Sequence, residues 1–104
     1  MTEQQAADSL AALGNRTRLR LYRLLVRAGG DGLNVGDLQR LLEVPASTLA
    51  HHLATLARAG LVIQERRGRE VVSRADYGAM RALLGYLTED CCTGVRMAGD
   101  DAAA

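Results

Sequence analysis

Cys91 and Cys92 stand side by side near the C-terminal end of this 104-residue chain. Adjacent Cα atoms lie about 3.8 Å apart, whereas an unstrained disulfide wants roughly 4.4–6.8 Å. A bond within the pair would therefore be strained. A thiophilic ion holds two sulfurs farther apart than an S–S bond does, so neighbouring thiolates suit it as a chelate. Glu89 and Asp90 precede the pair. Their charge opposes thiolate formation, although it also attracts cations. A neutral metalloid hydroxide suffers less from that field and can take up the thiol protons as it loses water. A second reading stays open for Cys91. It falls four residues after Leu87, so it can extend an apolar stripe as a small buried hydrophobe, with Cys92 off the stripe and more exposed.

A second group of residues suits nucleic acid. Ser47, Thr48, His51 and His52 fall on a helical stretch whose apolar stripe is Leu49, Leu53 and Leu56. Their side chains are of the kind that reads base edges when a helix enters the major groove. His51 is the better placed for DNA, because His52 lies beside the apolar face. A metal held by the two histidines is disfavoured, since adjacent helical residues diverge by about 100°. Arg66, Arg67 and Arg69 crowd around Gly68. There they can lie along a phosphate backbone or enter a minor groove. Asp37 and Glu43 have no catalytic companion and read as a solvated face. The sequence offers no nucleophile–base pair, phosphate loop or metal triad, so an enzyme is the least favoured class.

The elements that must position these groups follow from periodicity and punctuation. Residues 6–13 read as a helix with Leu10 and Leu13 apolar. Asn15 caps a stronger one over 17–28, where Leu21, Leu24, Leu25 and Ala28 form the stripe. Gly29, Gly30 and Gly32 end it. A short helix over 34–42 should bury Val35, Leu38 and either Leu41 or Leu42. Val44-Pro45 turns the chain into the helix over 46–58. The only clear strand signals are 61–63 and 70–73, joined through a Gly-containing tip. Asp76 can cap a last helix to about residue 90, with Met80, Leu83, Leu84 and Leu87 as its stripe.

Composition sets the limits. Hydrophobic residues make up 48% and aromatics 3%, with no Trp or Phe, so the core must be Leu, Val and Ala and favours helices. All thirteen basic residues are arginine. Residues 1–87 hold twelve of them against eight carboxylates, whereas 88–104 hold one against four. Arginine suits bidentate phosphate and guanine contacts, but a GC-rich genome would give the same bias. No apolar run approaches a membrane span and no signal-peptide core is present. A cytoplasmic protein with its cysteines as thiols is expected, with no membrane partner.

Short helix, turn, second helix and basic two-stranded ribbon is the winged helix-turn-helix order. Four segments, LGNRTRLRLYRLL at 13–25, GLNVGDLQRLL at 32–42, STLAHHLATLARAGLV at 47–62 and ERRGREVVSR at 65–74, resemble the ArsR/SmtB family of metal and metalloid sensors. The resemblance implies a homodimeric repressor that leaves a palindromic operator when an inducer binds. Where the founding arsenic sensors carry Cys-Val-Cys, this chain has Asn34-Val35-Gly36. Where the zinc sensors place Asp and two His in the last helix, it has Asp76 and Glu89 but no His. Ala46 and Ala50 stand where Gln and Ser are common. Some relatives use C-terminal vicinal cysteines for trivalent arsenic, which implies that ligand class for Cys91 and Cys92. Arsenite usually takes three sulfurs. A third ligand could come from an exogenous thiol, hydroxide or the other subunit, and methylarsenite needs only two.

The sequence therefore predicts a mainly α fold with a β-hairpin wing, winged helix-turn-helix and dimeric. One DNA-binding and dimerisation domain should span 1–92, with a flexible tail over 93–104. The first and last helices should form the dimer interface, because their stripes exceed what one small core needs. Expected partners are double-stranded operator DNA and a second copy. The expected inducer is trivalent arsenic or another thiophilic metal or metalloid ion. Rival readings are a thiol redox-sensing repressor, a repressor with another effector and inert cysteines, a thiol redox switch or metal buffer without an operator, and a plain dimerisation module.

Overall fold

Side-chain caps decide where the helices begin. In the computed structural model, which describes residues 1–98, Thr2 and Gln5 form a reciprocal capping box. It starts helix α1 at Glu3–Leu13, earlier than the apolar pattern indicates, because a cap satisfies the first free N–H groups whatever the stripe does. Asn15 accepts from the Arg18 backbone N–H and opens α2, Arg16–Ala28. A short 3-10 turn, Gly29–Asp31, leads into strand β1, Leu33–Asn34. Asn34 then caps α3, Val35–Leu42, in a box with Asp37. Helix α4 is Ala46–Arg58, strands β2 and β3 are Val62–Arg67 and Glu70–Ala75, and Asp76 caps α5, Tyr77–Thr88.

The three strands form an antiparallel sheet in the order β1-β3-β2. Leu33 pairs with Ser73 and Asn34 with Val72 on one edge of β3, while Val62 to Arg67 pair with Ala75 to Glu70 on the other. The edge strand β1 is an addition to the expected hairpin. Two residues are too few to show a period of two, so its sequence carried no signal. Gly32, just before it, has φ +66, and a Cβ there would collide with the Ser73 carbonyl oxygen. The close approach that brings β1 onto β3 thus requires glycine.

The core is leucine-rich. Leu21, Leu25, Leu38, Leu49, Leu56 and Leu61 are essentially inaccessible, joined by Leu42, Leu53, Val62 and Ala75 in one cluster. Helix α1 turns Ala6, Ser9 and Ala12 inward and leaves Leu10 exposed. In α3 it is Leu42, not Leu41, that is buried. Among the described residues no helix is long and apolar enough to cross a membrane. Helix α5 ends at Thr88, so the stripe stops before Cys91, and both cysteines are exposed. Of the expected tail, 93–98 is exposed chain without regular structure, and 99–104 lies outside the described residues.

Candidate nucleic-acid interface and thiol pair

Helices α3 and α4 form the helix-turn-helix. Between them Glu43 adopts a left-handed conformation, φ 55 and ψ 44, and its N–H donates to the Gln39 carbonyl oxygen at 2.8 Å. Pro45 then starts α4, whose first N–H groups therefore have no side-chain cap. Leu49, Leu53 and Leu56 seat the helix on the core, and Ser47, Thr48 and His51 are exposed on its other side.

His52 is placed differently. It is half-buried, and its Nδ1 lies 3.3 Å from Arg18 Nη1. Arg18 in turn donates through Nε to the Ala12 carbonyl oxygen at 2.6 Å. Burial first, then the charge of Arg18 and the neighbouring His51, hold the His52 pKa below the ordinary histidine value. The neutral ring accepts from the guanidinium. Arg18 thereby ties the end of α1 to the recognition helix, a role with no local sequence signature.

The wing is the β2–β3 hairpin. Arg67 pairs with Glu70 across a two-residue turn of Gly68 and Arg69, and Gly68 has φ +63. A positive φ at the first turn residue suits the twist of a tight hairpin and favours glycine. Arg66, Arg67 and Arg69 are all exposed there. Arg67 Nε donates to Glu65 Oε2 at 3.0 Å, and Arg74 Nη2 lies 3.6 Å from Glu65 Oε1. Hydrogen bonding and charge from Arg67, with a smaller contribution from Arg74, hold the Glu65 carboxyl below its usual range. Glu65 therefore balances part of the wing's charge, and its period-two spacing from Arg67 was the available clue. At the wing's base Asn34 Nδ2 donates to Glu70 Oε1 at 3.2 Å, tying the wing to α3.

The thiols lie away from this surface in sequence, in the turn after α5. Cys91 N–H donates to the Thr88 carbonyl oxygen at 3.1 Å, and Thr93 donates through Oγ1 to the Asp90 carbonyl oxygen at 2.9 Å. Asp90 and Cys92 take left-handed conformations, φ 57 and 65. The turn sets the two Sγ atoms 3.1 Å apart. That is well beyond the roughly 2.05 Å of a disulfide, and a single ion could bridge it. The hydrogen bond shared with Cys92, and then desolvation, push the Cys91 thiol pKa up. Among the described residues no group of three or more His, Cys, Asp and Glu side chains converges on a metal position.

Apolar surface remains beside these sites. On α5, Leu84 and Leu87 are 57% and 55% exposed, and Leu10 of α1 is 44% exposed.

A family model described as a helix-turn-helix domain matches residues 13–65. The transcriptional activator HlyU of Vibrio cholerae is 31% identical over 88 residues, covering 85% of this chain and 79% of that protein. Its solved structure superposes with a TM-score of 0.69 at 30% identity, covering 88% of this chain and 99% of that one. A Halobacterium salinarum protein bearing the name of an arsenical resistance operon repressor, ArsR, is 38% identical over 60 residues. That match covers 58% of this chain and 46% of the relative. A Mycobacterium bovis protein, solved as a homodimeric winged helix-turn-helix DNA-binding domain, gives a TM-score of 0.67 at 26% identity, covering 84% and 81% of the two chains. Fold, residues 13–65 and relatives agree: the chain belongs to the ArsR/SmtB family of winged helix-turn-helix transcriptional regulators, which are DNA-binding proteins and not enzymes.

Proposed function

We propose that the protein is a cytoplasmic homodimeric repressor that leaves its operator when trivalent arsenic, as arsenite or methylarsenite, binds Cys91 and Cys92. The observation that carries this reading is the exposed thiol pair, with its sulfurs 3.1 Å apart. Two sulfurs at that spacing suffice for methylarsenite. For arsenite, hydroxide, an exogenous thiol or a cysteine of the second subunit supplies the third bond. The name of the Halobacterium relative supports the ligand class. The raised Cys91 thiol pKa argues against a switch that works by oxidising an easily formed thiolate.

The working unit spans 1–92, and α1 and α5 join two copies through Leu10, Leu84 and Leu87. Burying these side chains removes apolar surface from water that the single chain leaves exposed. The homodimeric state of the Mycobacterium bovis relative supports a dimer. Each subunit lays α4 in the major groove of one half-site. Ser47, Thr48 and His51 read base edges with His52 beside them, while Arg66, Arg67 and Arg69 hold the flanking backbone. Repression then needs only occupancy of the operator. Effector binding beyond the end of α5 shifts the population between two dimer geometries, and it must bind one of them more tightly to do so.

The test is operator release, followed by gel shift, on adding arsenite, methylarsenite, cadmium, zinc or peroxide. Cys91→Ser and Cys92→Ser should each abolish the arsenical response and leave operator binding intact. If both variants still release DNA with arsenite, the sensor lies elsewhere. If peroxide alone releases DNA and non-reducing gels show a covalent dimer, the protein is a redox sensor.

A further inference from the structure

A groove of about 370 Å³ runs between α2 and α5. Its walls are Leu19, Tyr22 and Val26 on one side and Met80, Leu83 and Leu84 on the other, Leu84 being also one of the proposed contacts with the second subunit. The lining is apolar except at one rim, where Arg23 and Arg27 contribute. These two arginines are four residues apart on one helix, so their side chains project together. Both are exposed, and neither has a hydrogen-bond or ion-pair partner among the described residues. Among the described residues no carboxylate lines the groove. Tyr22, in its wall, is more than nine-tenths buried, and its hydroxyl has no hydrogen-bond partner either.

An apolar cleft with one doubly cationic rim matches an amphipathic anion. We propose that this groove is a second effector site, which binds a free single-chain carboxylate with its hydrocarbon between α2 and α5 and its head on Arg23 and Arg27. The size falls within the range of small-molecule pockets, roughly 300–1,000 Å³. The arginine stems cover hydrocarbon while their heads stay at the water boundary, where a carboxylate can meet them bidentately. The site owes nothing to the thiol pair. Its ligand would wedge α5 away from α2, which packs against α3, α4 and β3. The angle of the dimer helix to the DNA-reading body would change accordingly.

Calorimetric titration of the full-length protein with decanoate, below its micelle concentration, tests this. One site per chain is expected. The double variant Arg23→Gln, Arg27→Gln should weaken binding about tenfold or more, the loss of a charge-assisted contact. Decanol should lose a similar factor, and Cys91→Ser, Cys92→Ser should bind as the parent does, which separates this site from the thiol reading. Equal binding of decyltrimethylammonium, or unchanged affinity in the Gln variant, would mean unspecific apolar uptake and overturn the proposal. So would decanoate binding only after Leu87→Asp has split the dimer, because a second copy would then be the true occupant. Absence of binding in both the parent and that variant also overturns it.

Discussion

Arg18 Nη1 and His52 Nδ1 face each other at 3.3 Å across the junction of α2 and α4. The contact favours a neutral His52, whose pKa burial and Arg18 both lower. The unfolded chain, with an ordinary histidine near 6.5, therefore takes up a proton more readily than the folded one. Stability contributed by this pair is present above about pH 6.5 and is lost as pH falls through that value toward the lower folded pKa. Urea unfolding between about pH 5 and 8 should show the parent losing more stability at the acid end than His52→Gln. Parallel profiles for the two proteins would remove the coupling.

The wing should behave as an electrostatic clamp. Arg69→Ala is expected to weaken DNA binding about equally for all sequences and to lower the salt slope by roughly 1. Ser47→Ala or Thr48→Ala should instead relax base preference. Glu65→Gln should do the reverse of the wing mutation, because it releases Arg67 and Arg74 from their ion pairs. Fluorescence anisotropy at several salt concentrations on specific and random duplexes distinguishes the three.

The proposed assembly rests on exposed leucines. Leu84→Asp or Leu87→Asp places a charge where a second α5 should pack, at a cost of several kcal/mol to the dimer. Sedimentation should show monomers, with operator binding lost alongside. Because Leu87 is 55% exposed in the single chain, its variant should keep its helical circular dichroism. A parent protein that is monomeric at micromolar concentration would refute the interface.

Glu43 holds a left-handed conformation at the end of α3, which costs a residue with a Cβ roughly 1–2 kcal/mol. Glu43→Gly should relieve that strain and, net of the backbone entropy glycine loses, stabilise the fold by about 0.5–1 kcal/mol. Thermal unfolding should shift upward by a few degrees, given about 4–8 °C per kcal/mol in domains near this size. A lowered melting temperature would show that the glutamate side chain contributes more than its strain.

Legibility in the sequence followed the range of each interaction. The stripe Leu49, Leu53, Leu56 and the cap Asp76 are local signals, and both are found where periodicity and capping rules put them. The excess leucines of α5 were visible for the same reason. The Arg18–His52 contact joins residues 34 apart, and nothing nearby in sequence announces it. Strand β1 is specified by its partner β3 and by the space Gly32 leaves, not by a pattern of its own. For Cys91 periodicity was carried too far: α5 stops at Thr88, and the left-handed residue at Asp90 turns the chain away from the stripe.

Asn34 belongs to three structures at once. It pairs with Val72 in the sheet, caps α3, and bonds Glu70 at the root of the wing. The first helix of the DNA-reading unit and the ribbon beside it are thereby tied at one point, which favours their moving together. In the proposed dimer such a unit would be swung as a whole, like the head of a lever whose fulcrum is the α5 contact between subunits. A small rotation at that fulcrum would reach the wing tip multiplied by the length of the arm, so tolerance for half-site spacing would be set in the dimer more than at the DNA.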